Sequence, residues 1–509
     1  MRLCELLKNT KIFGGRDYPD VEISEITTNS HKAGKGSMFI CLEGSKADGH
    51  RYIKEALING AVAVVVQRGN RFERPSFCER IIFIECDNTR RAAAELYNSW
   101  YGCPSEKLKI IAVTGTNGKT SVTFILKAIF EAALYKCGII GTVECLSGKR
   151  RVCANPDSEL ANLTTPDPKE LYRTLALMAA EGVDYVFIEA SSHSLKLSKL
   201  DALKFDTAIF TNLTPDHLDF HLTMEDYRES KAKLFSMCKT AILNADDDSC
   251  EYMKDGCVGQ IYTYSSKAAP ADFMARNAEL CKITEKTSDS SVGIRYDLAS
   301  KKTFMRVQSS LRGIFNIDNT LAAAACALLH GISPAIISEA LASMGGVIGR
   351  MQKIKLPQRA DFSVYVDYAH TPDAIDNLLE SARAMCGSGG RLILLFGCGG
   401  DRDRSKRAVM GRIASQKADY VVITSDNSRG EDKNAIIEDI MSGFDRNTPH
   451  EKVVDRKEAI EFVINNARRG DVILLAGKGH EKYEIDDRGK REFDECRIAI
   501  EAAEKRFER

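Results

Sequence analysis

The stretch KIIAVTGTNGKTS, Lys109–Ser121, decides how the fold of the chain is interpreted. Its apolar or β-branched residues 110–113 predict a buried strand, and Ser121–Ala133 has the spacing of a helix. Between them, Gly115 and Gly118 let the backbone approach an anion, toward which loop and helix N–H groups point. A glycine loop between a strand and a helix therefore predicts a phosphate-binding site.

The loop G-x-x-G-K-T is shorter than the usual G-x-x-x-x-G-K-[ST], because Val113 stands where the first glycine would be. Lys119 is placed to reach the terminal phosphates of a nucleotide, and the Thr120 hydroxyl is placed to bind Mg²⁺. An ordinary strand-to-helix turn is the alternative interpretation, but the flanking strand and helix favour nucleotide binding. The residues expected to bind ATP here are Gly115, Thr116, Asn117, Gly118, Lys119 and Thr120.

Composition indicates a chain of about three domains. Lysine plus arginine equals aspartate plus glutamate at 71 each over 509 residues, so no net basic field attracts nucleic acid or a membrane. Sixteen cysteines without a C-x-x-C pair argue against a disulfide scaffold or a zinc ribbon, and favour reduced thiols. The N-terminus MRLCELLKNT has no long apolar core, and no apolar run approaches 18 residues. We therefore expect a cytoplasmic protein that does not insert into a membrane, and a monomer.

Residues 1–105 are predicted to form a small α/β domain. Apolar runs at Met38–Leu42, Ala61–Gln67 and Arg80–Glu85 predict strands, and Tyr52–Asn59 predicts a helix between the first two. The polar segments 27–30 and 43–50 are interpreted as surface turns.

Residues 106–346 are predicted to form a central domain with a mainly parallel sheet. Strands predicted at Tyr185–Ala190, Thr207–Phe210 and Ala241–Leu243 each end in polar residues. Because ligands bind outside the carboxyl ends of parallel strands, these tails should converge on the phosphate loop. Glu189 and His217 then complete a Mg²⁺ site beside Thr120, although Mg²⁺ prefers oxygen to imidazole.

A zinc site is the alternative for the second strand tail. His217 and His221 are four residues apart and would share a helix face, with Asp216 and Asp219 as further ligands. The phosphate loop favours Mg²⁺ over zinc.

Residues 347–509 are predicted to form a Rossmann-like domain. Arg391–Phe396, Ala418–Thr424 and Asp471–Ala476 are apolar strands, each followed by a polar or glycine-rich loop, with helical segments between them. The predicted fold class is α/β in three domains.

Ten segments that span nearly the whole chain resemble the motifs of the Mur ligases, in the order of that family. They are TGTNGKT at 114–120, TTP at 164–166, EASSHSL at 189–195, TNLTPDHLDFH at 211–221, YRESKAKLF at 227–235, GIFNIDNTLAA at 313–323, GRMQ at 349–352, VDYAHTPDA at 366–374, GCGGDRDRSKR at 397–407 and AGKGHE at 476–481. Within the family the resemblance is to the members that add the third amino acid to UDP-N-acetylmuramoyl-L-alanyl-D-glutamate. It implies a UDP-binding N-terminal domain, a central ATPase domain and a C-terminal Rossmann-like domain.

The resemblance also implies roles for residues. Thr120 and Glu189 would hold a first Mg²⁺, and His217 and a carbamylated Lys231 a second, with Lys119 as the phosphate-binding lysine. Asn316 and Asn319 would lie near adenine, and Arg350 and Asp367 near ribose and phosphates. The UDP-muramoyl peptide would contact Ser30, Thr164, Thr165, Ser191 and Lys199. The amino acid would contact Arg402, Asp426, Asn427, Arg429, Gly477 and Glu481.

Simpler interpretations of these residues stay open at this point. Asn316 fits a helix cap, and Arg350 with Asp367 fits an ion pair between domains. Lys231 fits a solvated lysine on a charged helix.

Four positions depart from the family pattern. Asn29-Ser30-His31 replaces D-S-R, Lys199 replaces an arginine, Gln352 replaces the glutamate of G-R-M-E, and Ser428 replaces the proline of D-N-P-R. None of them touches the nucleotide loop, so they bear on substrate contacts.

The D-N-P-R pattern is typical of diaminopimelate-adding members, whose arginine holds the distal carboxylate. Diaminopimelate is lysine plus one carboxylate, and arginine is suited to a bidentate grip on it. We therefore expect meso-diaminopimelate rather than L-lysine, with Glu481 taking the distal ammonium. The alternative is that Arg429 pairs with Glu431 or Asp432 on the surface.

The reaction implied is ATP-driven amide formation through an acyl phosphate. A ligase similar to folylpolyglutamate synthase is the alternative enzyme, and a P-loop nucleotide switch is the alternative of a different class. Closure of the domains about hinges near 103–108 and 344–348 is expected, since the phosphate loop and the amino-acid loops lie on different domains.

Overall fold

The computed structural model describes residues 1–508 except 11–17, 45–46, 73–79, 153–163, 268, 285–289 and 388. Three separate sheets, each associated with helices, follow one another along the chain. Short 3₁₀ helices lie at Ser30–Lys32, Gly49–Tyr52, Pro104–Glu106 and Lys233–Met237. The α/β class in three domains is confirmed.

The N-terminal sheet is fully parallel, in the order β1-β2-β3-β4. Its strands are β1 Ile26–Thr27, β2 Ser37–Ile40, β3 Ala61–Gln67 and β4 Ile82–Cys86, and its helices are α1 Leu3–Lys8, α2 Ile53–Ile58 and α3 Thr89–Trp100. The predicted strand at Ala61–Gln67 has the predicted bounds, and its neighbours are shifted by one or two residues. The polar turn predicted at 27–30 includes one residue of β1, and residues 45–46 of the turn predicted at 43–50 lie outside the described residues.

The central sheet has eleven strands, in the order β15-β14-β13-β12-β11-β10-β5-β9-β6-β7-β8. The strands are β5 Lys109–Thr114, β6 Cys137–Ile140, β7 Cys145–Ser147, β8 Arg150–Arg151, β9 Tyr185–Glu189, β10 Phe205–Phe210, β11 Cys238–Asn244, β12 Gln260–Ser265, β13 Phe273–Thr284, β14 Ser290–Ser300 and β15 Phe304–Ser309. The helices are α4 Lys119–Ala132, α5 Pro168–Ala180, α6 Ser192–Lys196, α7 Leu218–His221, α8 Met224–Ala232, α9 Cys250–Asp255, α10 Asn316–Leu329 and α11 Pro334–Ser343.

Seven neighbouring strands of this sheet are parallel, in the order β13-β12-β11-β10-β5-β9-β6. Antiparallel pairing extends this parallel block by β14 and β15 at one edge and by β7 and β8 at the other. Residues 110–113 are 0% exposed, because helices cover both faces of the parallel block. The carboxyl ends of β5, β9, β10 and β11 consequently lie side by side at one edge.

The C-terminal sheet has the order β16-β17-β21-β18-β19-β20 and is parallel except for the edge pair β16–β17. Its strands are β16 Gln352–Lys353, β17 Ser363–Asp367, β18 Leu392–Phe396, β19 Tyr420–Ile423, β20 His450–Lys452 and β21 Val472–Ala476, with a separate hairpin of β22 Tyr483–Asp486 and β23 Gly489–Glu492. The helices are α12 Pro372–Arg383, α13 Ser405–Lys417, α14 Lys433–Met441, α15 Arg456–Asn465 and α16 Glu495–Phe507.

Thirteen cysteines in the described part of the chain are free thiols. Cys145 is disulfide-bonded, so the expectation of reduced thiols is wrong at that residue. Among the helices of the described residues, none combines the length and the apolar character that a membrane crossing needs.

Candidate active site

The phosphate loop joins β5 to α4, which begins at Lys119. Gly115 and Gly118 have φ angles of 150° and 88°, and a Cβ at Gly115 would lie 1.9 Å from the Thr211 hydroxyl oxygen. Lys119 Nζ donates to the carbonyl oxygens of Gly115 and Thr116, at 2.9 and 2.8 Å. Burial lowers the pKa of Lys119 below its ordinary value. The loop is therefore shaped around an anion, and its ammonium group is held at the loop by backbone oxygens.

Glu189, the last residue of β9, lies against the start of α4. The Thr120 hydroxyl donates to Glu189 Oε2 at 2.9 Å, and Thr142 donates to the same carboxylate from its hydroxyl and its N–H, at 2.9 and 3.0 Å. The Glu189 side chain is buried, and among the described residues it has no ion-pair partner. This cluster of hard oxygen atoms suits a divalent cation such as Mg²⁺.

His217 precedes α7 with a φ of 55°, and its Nε2 lies 3.4 Å from Asp216 Oδ2. Burial lowers the pKa of His217 to about 3, although Asp216 acts in the opposite direction. The ring is therefore neutral near pH 7, which is the form that binds a metal ion.

His221 is not available as a metal ligand. Its Nε2 lies 2.9 Å from the Ser192 hydroxyl and its Nδ1 lies 3.1 Å from Asp226 Oδ2. Within the described ranges, no group of three or more His, Cys, Asp or Glu residues is arranged to hold a metal ion. The zinc alternative is therefore wrong.

Lys231 lies on α8 with its side chain directed at the phosphate loop. It is 1% exposed, and its Nζ donates to the Gly115 carbonyl oxygen at 2.8 Å and lies 4.4 Å from the centre of the Tyr227 ring. Burial and the nearby Lys119 ammonium hold the pKa of Lys231 well below its ordinary value. The interpretation as a solvated surface lysine is wrong.

Arg350 extends from the start of the C-terminal region into the phosphate site. Its Nη2 donates to the Thr120 hydroxyl oxygen at 3.0 Å, and its guanidinium lies 4.8 Å from the centre of the Tyr368 ring. Asp367, the last residue of β17, accepts the N–H groups of Met351 and Ala369 at 2.7 Å each. Arg350 therefore contacts the loop itself, which the ion-pair alternative did not predict.

Asn319 lies beside the phosphate loop, since a Cβ at Gly118 would be 2.5 Å from Asn319 Oδ1. Asn319 Nδ2 donates to Asn316 Oδ1 at 2.9 Å, and Asn316 Nδ2 donates to the Arg312 carbonyl oxygen at 2.7 Å. Asn316 is the first residue of α10 and not its N-cap. The capping alternative is therefore wrong, and Asn316 supports Asn319 from behind.

A cleft of about 790 Å³ separates the phosphate loop from the C-terminal sheet. Residues 116–120 line it together with Thr164, Glu189, His217, Asn319, Arg350 and Asp367. Besides the bond from Arg350 to Thr120, contacts that cross it include Asn117 Nδ2 donating to Asp373 Oδ2 at 2.8 Å and Lys406 Nζ donating to Asp216 Oδ1 at 3.3 Å.

Three of the hydroxyl residues predicted for the UDP-muramoyl substrate adjoin Glu189. The Thr165 hydroxyl donates to the Glu189 carbonyl oxygen at 2.7 Å and lies 3.1 Å from the Ser191 hydroxyl, and the Thr164 hydroxyl lies 3.0 Å from the Thr142 hydroxyl. Of these three residues, Thr164 lines the cleft.

Two further residues predicted for that substrate have partners elsewhere. Lys199 Nζ pairs with Asp167 at 2.6 Å. The Ser30 hydroxyl, in the N-terminal region, donates to Glu55 Oε2 at 2.6 Å, and the neighbouring His31 lies 3.0 Å from the same carboxylate. Within the described part of the chain, Ser30 makes no contact with the hydroxyl cluster.

The residues predicted for the amino acid come together at the ends of β19 and β21. Asn427 Nδ2 donates to Glu481 Oε2 at 2.9 Å, and a Cβ at Gly477 would lie 2.5 Å from Asp426 Oδ2. Arg429 has a φ of 51°, and its Nη1 donates to the carbonyl oxygen of Gly400 at 2.8 Å.

Arg402 belongs to the same subsite from an exposed position. Its Nη1 donates to the Asp401 carbonyl oxygen at 3.1 Å. Burial and the charge of Arg402 lower the pKa of Arg429 below its ordinary value. Two guanidinium groups that repel each other favour an incoming carboxylate.

The surface partners suggested for Arg429 are both occupied. Glu431 is bound by Arg407, and Asp432 Oδ1 accepts the N–H of Ala435 as the N-cap of α14. Among the described residues Arg429 has no carboxylate within ion-pair distance. The surface-pair alternative is wrong.

Sequence reasoning missed Thr142, which binds both Glu189 and Thr164. It follows β6, a strand of four buried residues that was not predicted. The available signal was the short apolar run ending in Gly141-Thr142, which resembles the other polar strand tails.

Three family models match the chain. The model described as Mur ligase middle domain matches residues 113–327, Mur ligase glutamate ligase domain matches 349–479, and Mur ligase family catalytic domain matches 22–101. The last of these covers most of the N-terminal sheet, which the resemblance assigned to UDP binding.

Full-length relatives are also similar to this chain. The UDP-N-acetylmuramoyl-L-alanyl-D-glutamate--2,6-diaminopimelate ligase of Syntrophomonas wolfei is 40% identical over 508 residues, which is 98% of this chain and 99% of the relative. The ligase of the same name from Caldanaerobacter subterraneus is 41% identical over 503 residues, 98% of both chains. A solved structure of a ligase with that name has 29% identity and a TM-score of 0.66, covering 100% of this chain and 99% of its own.

Proposed function

Because the chain belongs to the Mur ligase family, we propose that it joins meso-2,6-diaminopimelate to UDP-N-acetylmuramoyl-L-alanyl-D-glutamate, using ATP, in the synthesis of a peptidoglycan precursor. The observation that carries the choice of amino acid is the half-buried guanidinium of Arg429, which belongs to the same loop cluster as Glu481 and has no carboxylate partner among the described residues. The distal carboxylate of diaminopimelate would pair with Arg429 there, and its distal ammonium would pair with Glu481.

The proposed reaction has two steps. The D-glutamyl carboxylate attacks the γ-phosphorus of ATP, the bond from that phosphorus to the β,γ-bridging oxygen breaks, and the products are an acyl phosphate and ADP. The amine of diaminopimelate then attacks the acyl carbon and loses a proton, and phosphate leaves. Lys119 and Arg350 are the cations beside the developing phosphoryl charge, where stabilisation is most effective.

Mg²⁺ is assigned to the oxygen atoms of Thr120 and Glu189. The donor set fits, because Glu189 is a buried carboxylate without an ion-pair partner among the described residues and the adjoining donors are hydroxyl oxygens. When bound, the ion supplies positive charge at the phosphate oxygens. His217 and Lys231, as its carbamate, are assigned to a second ion.

Carbamylation of Lys231 has support from its surroundings. Burial and the Lys119 ammonium lower the pKa of Lys231, which favours the neutral amine, whose lone pair adds to the carbon of CO₂ with loss of a proton. The product is an anionic oxygen donor, which suits a site that already contains Lys119.

The remaining substrate contacts are proposals of the same kind. Asn316 and Asn319 are assigned to adenine and Asp367 to ribose. Ser30, Thr164, Thr165, Ser191 and Lys199 are assigned to the UDP-muramoyl peptide, and Arg402, Asp426, Asn427, Arg429, Gly477 and Glu481 to diaminopimelate.

The domain limits are proposed at 105/106 and 346/347. The first lies between α3, which ends at Trp100, and β5, which begins at Lys109. The second lies between α11, which ends at Ser343, and β16, which begins at Gln352. That the enzyme works as a monomer in the cytoplasm stays a prediction.

The alternatives are not favoured. A folylpolyglutamate synthase or a nucleotide switch has no need of a subsite that contains both Arg429 and Glu481, and the relatives similar over 98% of the chain are named diaminopimelate ligases. Lysine addition would leave Arg429 facing a methylene group.

One assay separates these functions. Purified protein is incubated with ATP, Mg²⁺, UDP-N-acetylmuramoyl-L-alanyl-D-glutamate and single amino acids, and the product is weighed by mass spectrometry. A tripeptide with diaminopimelate and stoichiometric ADP is expected. ATP hydrolysis without a peptide product would contradict the proposal, and so would a product formed only in a parallel incubation with folate and glutamate.

A further inference from the structure

Lys478 is a buried lysine in the loop after β21, between Gly477 and Glu481. Its side chain is 0% exposed, and it is not one of the residues assigned to the amino acid. A buried ammonium is unfavourable unless hydrogen bonds and opposite charges compensate it, so its contacts indicate its role.

Both hydrogen bonds from Lys478 are made inside the amino-acid subsite. Its Nζ donates to Asn427 Oδ1 and to the Tyr483 carbonyl oxygen, at 2.9 Å each. Asn427 Oδ1 also accepts the Ile485 N–H at 3.0 Å. Because two donors hold the oxygen of this carboxamide, its NH₂ group is directed the other way, toward Glu481 Oε2 at 2.9 Å.

The charge of Lys478 lies between the carboxylates of Asp426, which is buried, and Glu481, which is partly buried. Its Nζ is 3.9 Å from both Asp426 Oδ1 and Glu481 Oε2. Asp426 has a second cation, Arg456, whose Nη1 lies 3.9 Å from its Oδ2. Burial and Asp426 raise the pKa of Glu481, and Lys478 acts against them.

The inference rests on the proposed function, in which Glu481 holds the distal ammonium of diaminopimelate. We propose that Lys478 is a positioning residue that orients Asn427, and through it Glu481, for that ammonium without touching the substrate. Arg429 is held by other atoms, because its Nη1 donates to the backbone carbonyl oxygens of Gly400 and Asn427, at 2.8 and 3.3 Å, while Lys478 binds the side chain of Asn427. Recognition of the distal carboxylate by Arg429 should therefore not depend on Lys478.

Two analogues separate the two ends of the amino acid. L-2-aminopimelate keeps the distal carboxylate and lacks the distal ammonium, and L-lysine keeps the ammonium and lacks the carboxylate. In Lys478→Met, the kcat/KM ratio of meso-diaminopimelate to L-2-aminopimelate should fall at least ~10-fold, and the ratio of diaminopimelate to lysine should stay within ~3-fold. The change should appear mainly in the KM for diaminopimelate, with the KM for ATP unchanged.

A matched control is Lys433→Met. Lys433 Nζ pairs with Glu484 Oε1 at 3.3 Å, next to the subsite but not on Asn427 or Glu481, so both ratios should keep their wild-type values. If Lys478→Met does not fold, Lys478→Gln, which keeps a donor but no charge, should lose the same ratio.

Unchanged ratios in a folded variant would overturn the inference, and so would a parallel loss of both. Failure of both variants to fold would assign Lys478 to stability instead. These outcomes are distinct from failure of the proposed function, in which the wild type itself would not prefer diaminopimelate to both analogues.

Discussion

The carboxylate of Glu431 is bound by both terminal nitrogens of Arg407, at 2.9 Å each. The Arg407 side chain is 0% exposed and also donates to the Gly399 carbonyl oxygen at 3.0 Å. Glu431 is the acidic residue nearest to Arg429 in the sequence, and its carboxylate is already paired with Arg407. The Arg429 guanidinium is therefore held by backbone oxygens and left available for a substrate carboxylate.

The Arg407–Glu431 pair should stabilise the fold in a pH-dependent manner. Hydrogen bonds from Arg407 lower the pKa of Glu431 from 4.5 to about 2. The stabilisation is complete above the ordinary pKa and is lost as the pH falls toward 2. Glu431→Gln should lower the free energy of unfolding by ~1–3 kcal/mol at pH 7, measured by urea denaturation, and by progressively less below pH 4.5.

Glu438→Gln is the control for this prediction. Glu438 lies on the surface of α14 and pairs with Lys452 at 2.8 Å, where solvent screens the pair, so its loss should destabilise the fold clearly less than the loss of Glu431. Equal effects of the two variants at pH 7 would contradict the prediction.

Lys231 should be required for chemistry and not for folding. Lys231→Ala should lower kcat at least ~10²-fold, because a ligand beside the phosphates is lost, while Tm stays close to that of the wild type. Incubation with ¹³C-bicarbonate should give a carbamate NMR signal in the wild type that is absent from the variant. Full activity of Lys231→Ala would end this assignment.

Thr142 should support the metal-binding carboxylate. Thr142→Val removes the hydroxyl that donates to Glu189 and lies 3.0 Å from the Thr164 hydroxyl. It should raise the Mg²⁺ concentration for half-maximal activity about tenfold, which corresponds to the loss of one hydrogen bond to a charged group. Thr142→Ser keeps the hydroxyl and is expected to behave as the wild type. Identical Mg²⁺ dependence in all three proteins would show that Thr142 does not contribute.

The domains should close on the substrates. Contacts across the cleft join Asn117 to Asp373 and Lys406 to Asp216, and hinges are expected near 103–108 and 344–348. Small-angle scattering should show a smaller radius of gyration with an ATP analogue and both other substrates than without ligands. Asn117→Ala should reduce this compaction, and an unchanged radius under saturating ligands would rule closure out.

Local sequence patterns were sufficient to predict the parallel strands and the phosphate loop. An apolar run such as residues 110–113 predicts a strand by itself, and topology alone then brings Glu189 to Thr120, because parallel strands share a carboxyl edge.

Alternating patterns and long-range contacts were not predicted. In β15 the buried residues Met305, Val307 and Ser309 alternate with exposed ones, so no continuous apolar run marks the strand. The bond from Asn117 to Asp373 joins residues 256 positions apart. Lys478 was overlooked because a lysine in a polar loop is usually exposed, and only the fold reveals its burial.

The central claim is that this ligase selects diaminopimelate through Arg429, and the ratio of kcat/KM for meso-diaminopimelate to that for L-lysine tests it most directly. The wild type should prefer diaminopimelate by ~10³-fold or more, because lysine leaves a half-buried guanidinium unpaired, and Arg429→Ala should lose most of that preference. A wild type that prefers lysine, or an Arg429→Ala variant that keeps its preference for diaminopimelate, would contradict the claim.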